Sequence, residues 1–134
     1  MRNVHPVIGL ILIAVWLGCA PTQPTVAIQP VAVTDRSELV GTWAGNRQSR
    51  QGIFPVEIEI QGEDLKGIAT YYRTKTGTWT DKFHGKFVGD ELRIEWDQTH
   101  WIRLHLFKPE GGRTQLKGPY QRGKAEGSMT LEKK

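Results

Sequence analysis

Cysteine occurs once in the 134 residues, at Cys19. A lone cysteine excludes an internal disulfide and any thiolate-rich metal site. In an exported chain it must be free, paired with another chain, or modified. Long hydrophobic runs are missing too. The clearest, Val7 to Leu17, is interrupted only by Gly9 and falls short of the roughly 20 apolar residues that span a bilayer. No segment keeps helical periodicity over about 11 residues, which excludes a helical bundle. There is no Gly-x-Ser-x-Gly, no His-Glu-x-x-His and no glycine-rich phosphate loop leading into a helix. The familiar hydrolase, zinc-protease and nucleotide-binding signatures are thereby absent. The residues therefore predict no catalytic group, no metal site and no cofactor.

What is present begins at the amino terminus. Arg2 precedes the apolar run, and no acid accompanies it. A charged start followed by a short apolar core is the pattern of a secretory signal that is removed. The run ends in Leu17-Gly18-Cys19-Ala20. This boundary resembles the lipobox of bacterial lipoproteins, matching it at Gly18 and Cys19, with Leu17 larger than usual and Trp16 where Leu is typical. The resemblance implies a diacylglycerol on the Cys19 sulfur, cleavage before Cys19 and acylation of the new amino terminus. Gly18-Cys19-Ala20 also fits the small-x-small pattern of ordinary signal cleavage, although Pro21 should hinder that cut. Ala20, rather than Asp, after the cysteine resembles the class sorted to the outer membrane of two-membrane bacteria. The expected location is thus the outer membrane, facing the periplasm. An export signal also argues against a nucleic-acid partner.

Residues 19–36 hold Pro21, Pro24 and Pro30, few charges and no periodicity. Proline fixes φ and removes amide donors, so this stretch reads as an extended tether. At about 3.1 Å per residue it reaches roughly 50 Å. An edge strand within 26–33 is the alternative, and Pro30 opposes it.

Residues 37–134 suffice for one small domain. Val56, Ile58 and Ile60 alternate with Glu57 and Glu59. Leu92 to Asp97 and Ile102 to Leu106 alternate in the same way. These are strands with one buried face. Less regular candidates are Leu39 to Ala44, Leu65 to Tyr72, Phe83 to Val88, Thr114 to Tyr120 and Gly127 to Glu132. Turn signals separate them at Gln61 to Asp64, Gly89-Asp90, Pro109 to Gly112 and Arg122 to Lys124. Lys75 to Lys82, which contains Trp79, reads as a hairpin loop. The expected fold is all-β: a single antiparallel up-and-down β-barrel of about eight strands, with a β-sandwich as the alternative. Gly41-Thr42-Trp43 resembles the Gly-x-Trp of the lipocalin-like (calycin) barrels. That resemblance implies that Trp43 closes the barrel floor under a basic side chain, for which Lys133 and Arg122 are candidates.

The polar residues offer little chemistry. His100 and His105 lie five apart and face opposite ways on one strand, so they do not share a metal. Glu57 and Glu59 lie about 7 Å apart on one face, but that face points to solvent, where nothing raises a carboxyl pKa. Trp96 shares parity with Leu92 and Ile94 and belongs to the core. The candidate binding residues are Trp79, Trp101, Arg103, His105 and Tyr72, because exposed aromatic rings beside cations stack sugars, lipids or partner proteins.

The chain carries 18 Lys and Arg against 14 Asp and Glu, a net charge of +4. Arg113, Lys117, Arg122, Lys124, Lys133 and Lys134 crowd the last part of the sequence. A basic face attracts anionic envelope material. The functional expectation is a non-enzymatic envelope lipoprotein that binds a small apolar ligand or lipid, or an envelope protein. An assembly factor for an envelope or secretion complex is one alternative. A small hydrolase or enzyme inhibitor is the other. Mass spectrometry of the protein taken from its own membrane is expected to find Cys19 as an acylated amino terminus. An unmodified Cys19 still joined to residues 1–18 would overturn the lipoprotein reading.

Overall fold

The structure, a computed structural model, describes residues 29–134. Cys19, the expected signal and the first part of the expected tether lie outside the described residues. A single 3-10 turn, Arg36–Leu39, precedes nine strands: β1 Gly41–Ser49, β2 Gly52–Ile60, β3 Lys66–Thr74, β4 Gly77–His84, β5 Lys86–Val88, β6 Glu91–Asp97, β7 His100–Phe107, β8 Gln115–Arg122 and β9 Ala125–Lys133. They form one antiparallel sheet in the order β4-β3-β2-β1-β9-β8-β7-β6-β5. The first and last strands of the chain pair from Trp43↔Lys133 to Ser49↔Gly127. The sheet therefore curls as an up-and-down barrel, and not as a sandwich.

The two ends of the strand order are consecutive pieces of chain, separated only by Gly85. Backbone pairing passes from β3 to β6 across that residue: His84 pairs with Lys66, and Lys86 pairs with Arg93. A side chain at Gly85 would crowd Leu92 Cδ1 at 3.2 Å and Leu65 O at 3.3 Å, so the corner favours glycine. Above it β4 and β6 separate along a seam. Trp96 bridges that seam, with Nε1 donating to Lys82 O at 2.8 Å and its ring edge-on to Phe83.

Three sequence expectations need correction. Lys75 to Lys82 is mostly strand, not loop, because β4 begins at Gly77. Its side chains are largely exposed until Phe83, so the strand carries no apolar alternation to read. Leu39 belongs to the 3-10 turn, and β1 runs on to Ser49, well past Ala44. Trp96 is half-buried on the rim of the core rather than inside it. It sits at a β-bulge, where Glu95 pairs with Trp101 and Asp97 with His100. The bulge gives Trp96 no partner and turns it toward the seam.

Inward positions of every long strand build one continuous core. Trp43, Ile58, Ala69, Ile94, Ile102, Leu104 and Leu131 are fully buried within it. One end of the barrel is shut. Trp43 Nε1 donates to Leu39 O at 2.9 Å, and Lys133 Nζ lies 5.6 Å from the indole centroid while donating to Glu38 O at 2.7 Å. Of the two candidate cations, Lys133 is the one over Trp43. The described residues that precede the 3-10 turn dock at this floor. Val31 N donates to Leu106 O at 2.7 Å, and Val33 packs on the core.

Trp43→Ala is expected to cost about 3–5 kcal/mol by opening a cavity. Trp43→Phe keeps most of the bulk but leaves Leu39 O without its donor, at about 1–2 kcal/mol. Urea denaturation of the two variants checks both the size and the order of these losses.

Candidate functional site at the barrel mouth

The end opposite Trp43 is formed by four hairpins, each with a two-residue loop: Arg50-Gln51, Lys75-Thr76, Gln98-Thr99 and Gly123-Lys124. The inward columns of the strands change character as they approach it. In β1 the column runs Trp43, Gly45, Arg47. In β3 it runs Gly67, Ala69, Tyr71. In β8 it runs Leu116, Gly118, Tyr120, Arg122. In β4, read toward the mouth, it runs Phe83, Asp81, Trp79. Period-2 alternation thus carries two arginines, two tyrosines, an aspartate and, from β7, His100 into the upper barrel.

Arg47 is only 5% exposed and makes no ion pair among the described residues. Its guanidinium lies 5.0 Å from the Phe54 ring centroid and 5.6 Å from that of Tyr71. Arg122, half-buried, lies 4.6 Å from the Tyr71 centroid and 5.9 Å from that of Trp79. It too has no carboxylate partner among the described residues. The buried Nε of Arg47 and the buried hydroxyl of Tyr120 have no hydrogen-bond partner. Buried polar atoms are almost always satisfied, so unpartnered atoms at one place need a reason.

The acid in this region is half engaged. Asp81 Oδ1 accepts from Trp79 Nε1 at 2.8 Å, while Asp81 Oδ2, buried and without a hydrogen-bond partner, lies 3.5 Å from His100 Nε2. The same nitrogen is 3.3 Å from the Tyr71 hydroxyl, and the His100 ring stacks on Trp96 with centroids 4.0 Å apart. Burial, reinforced by Asp81, pushes the Tyr71 phenol far above its ordinary range. It remains a protonated donor and is no activated nucleophile. Burial is also the main cause that lowers the His100 pKa. Arg122 acts in the same direction, and Asp81 and Asp97 oppose it. The Asp-His-Tyr string fixes the position of Tyr71 below the mouth.

Above the tyrosines the mouth opens into a cleft of about 620 Å³. Arg47, Arg73, Lys75, Arg122 and Lys124 line it with Phe54, and no carboxylate does. Arg73 sits at φ 55° beside a β-bulge in β3, a backbone state uncommon outside glycine. The cleft presents hydrogen-bond donors and positive charge.

The residues singled out in the sequence fall in separate places. Trp79 is at the mouth and 48% exposed. Tyr72 is on the outer face of β3. Trp101, Arg103 and His105 share the outer face of β7, where Arg103 lies 4.6 Å from the Trp101 centroid. That face is engaged by its neighbours in part: Trp101 Nε1 donates to Gln121 Oε1 at 3.0 Å, His105 Nε2 lies 3.3 Å from Glu91 Oε2 and Arg103 is 3.9 Å from Glu95, while Arg103 Nε and His105 Nδ1 have no partner. A second cleft, along the seam, is lined by both His84 and Glu95, but the Glu95 carboxylate points to Lys86 and Arg103. Arg47 and the inward role of Arg122 escaped the sequence reading. The signal was parity: Arg47 stands four residues after Trp43, and Arg122 two after Tyr120.

Comparisons of the chain with family models, with curated proteins and with solved structures found no match.

His100 yields a pH prediction. Its folded pKa lies below the ordinary value of 6.5, so the unfolded chain takes up the proton first. The stability that neutral His100 contributes is complete above about pH 6.5 and is lost as pH falls through the lower folded value. The urea midpoint should fall between about pH 7 and pH 5, and His100→Gln should flatten that fall. An unchanged pH profile in the variant would count against the assignment.

Proposed function

We propose that this chain is a lipid-anchored protein of the bacterial envelope whose lipocalin-like barrel binds one small molecule at its mouth, without catalysing a reaction. The observation that carries the reading is Arg47, a buried, unpaired cation aimed at an open cleft. Burying a charge without a counter-charge is costly, and the rings of Phe54 and Tyr71 offset only part of that cost. A ligand that completes the site accounts for the cost. The ligand seat is the mouth and not the deeper barrel, which side chains fill.

The sequence features support the anchoring half of the reading, through Cys19 and the tether after it. The tether joins the barrel at the Trp43 end. The mouth is then at the end remote from the attachment, open to a periplasmic ligand. Docking of an envelope protein through Trp101 and Arg103 has weaker support, because those groups are half-buried and occupied by neighbours.

Titration of the isotopically labelled mature protein, in detergent, with small molecules extracted from its own envelope tests this reading. Amide shifts should appear at Arg47, Tyr71, Trp79 and Arg122. Silence at those positions, or shifts confined to Trp101 through His105, would overturn it.

A further inference from the structure

The mouth also constrains the chemistry of what enters it. We infer that the ligand is a compact molecule ending in one oxyanion, a carboxylate or phosphate group, which enters first and is held between Arg47 and Arg122 beneath the rim aromatics. The inference rests on the mouth being the binding site.

Four observations support it. First, the two guanidinium groups converge on one ring, that of Tyr71, with their carbons 5.6 and 4.6 Å from its centroid. Nothing of opposite charge lies between them among the described contacts. Guanidinium forks match the two oxygens of a carboxylate or phosphate, and charge-assisted hydrogen bonds of this kind are the strong ones.

Second, the unpartnered atoms beside the arginines include donors placed deep. Arg47 Nε can only donate, and the Tyr120 hydroxyl can donate or accept. The one acid nearby, Asp81, lies outside the lining of the cleft. One of its oxygens accepts from Trp79 Nε1, and the other, without a hydrogen-bond partner, lies 3.5 Å from His100 Nε2. A cationic ligand would have to pass five cations to reach it.

Third, the remaining surface of the mouth is flat and partly apolar. Phe54 and Trp79 stand at the rim, Trp79 nearly half exposed, with Arg47 and Arg122 against their faces. The part of the ligand that follows the anion therefore meets aromatic planes. It does not meet an alkyl-sized tunnel, because Ile58, Ile94, Ile102 and Leu104 close the barrel below Tyr71 and Tyr120. Anion-first entry with an exposed remainder is the only orientation that pairs charge with charge and leaves the core intact.

Fourth, the surrounding field has the right sign. Arg73, Lys75 and Lys124 stand around the same cleft, and such a rim speeds the encounter with anions.

Isothermal titration of the mature protein in detergent tests the inference. The probes are phenyl phosphate, benzoate, inorganic phosphate, benzyl alcohol and benzylammonium. Phenyl phosphate and benzoate should bind one per chain, and inorganic phosphate should compete more weakly. Benzyl alcohol and benzylammonium should not bind. Arg122→Gln should weaken phenyl phosphate at least about tenfold, as expected on losing one charge-assisted pair. Arg122→Lys should restore part of that loss. Trp79→Phe should weaken phenyl phosphate but leave inorganic phosphate unchanged. Arg113→Gln, on the loop at the opposite end, should change nothing. Arg122 is half-buried, so its variants avoid the folding risk of Arg47→Gln, and a urea midpoint confirms that each variant is folded.

Vesicles containing phosphatidylglycerol, set against phosphatidylcholine, locate the source of the anion. Selective displacement of phenyl phosphate assigns it to a lipid headgroup. No displacement assigns it to a free small molecule. Equal binding of benzyl alcohol, or a folded Arg122→Gln with unchanged affinity, would overturn the inference. So would a loss in Arg113→Gln as large as that in Arg122→Gln. A neutral molecule that shifts the mouth amides, with no response to any anion, would defeat this inference and leave the binding reading standing.

Discussion

The contact between Trp43, Leu39 and Lys133 governs the rest of the molecule. It lies where the first strand meets the last, so it joins the two ends of the domain. The indole fills the end of the barrel, its N–H finds the Leu39 carbonyl, and the Lys133 ammonium covers the ring while binding the Glu38 carbonyl. One aromatic side chain thereby satisfies a backbone turn, seats a cation and excludes water. A small sheet gains most from a closure that removes strand edges. The β1–β9 pairing supplies it, and only the seam between β4 and β6 is left to side chains. The same closure makes the barrel asymmetric, with one end filled and joined by Val31 and Val33 and the other free to carry something else.

That second end is where the folding rules are relaxed. A buried arginine replaced by an apolar residue of similar volume is often neutral or stabilising. Arg47 is kept in a position where an apolar side chain would continue the core. Its cation-π contacts with Phe54 and Tyr71 return part of the desolvation cost, about 0.5–2 kcal/mol for such contacts. They do not satisfy its N–H groups. Two bulges, at Tyr71 to Thr74 in β3 and at Trp96 in β6, fall toward the same end. Bulges re-aim side chains at the rims of barrels, and here they turn Trp96 onto His100. Arg73, at φ 55°, stands beside the first of these bulges, while the floor end has its own left-handed residue in Leu65, at φ 61°.

The barrel was legible in the sequence because most of its strands have one face in the core. Val56-Ile58-Ile60 and Ile102-Leu104-Leu106 declare their inward side by composition alone, and the turns between strands carry glycine, proline or acidic residues. Gly41-Thr42-Trp43 pointed to the floor. The mouth was not legible because its inward residues are polar, and polarity normally marks the outward face. Arg47 escaped the sequence reading for that reason, and β4 looked like loop. Reading parity outward from Trp43, rather than hydrophobicity, would have placed Arg47 inside. The aromatic cluster chosen from the sequence mixed two faces, because Trp79 and Trp101 lie on strands that are not neighbours. Their separation is set by strand order, which local pattern does not reveal.

The order of the chain also bears on the proposed combination of anchoring and binding. The described residues before the barrel reach it through Val31 and Val33 and end in the turn that shuts the floor. In the proposed anchored form, restraint applied along residues 19–36 would act on the Trp43 contact and not on the hairpins of the mouth. Those hairpins have two-residue loops, so the mouth is held from its own side by strand pairing. An anchor joined at the mouth would crowd the arginines. Joined at the floor, it would leave the cationic rim clear. The placement of Trp43 near the start of β1 thus completes the core, and it leaves the opposite end of the barrel open for the proposed ligand.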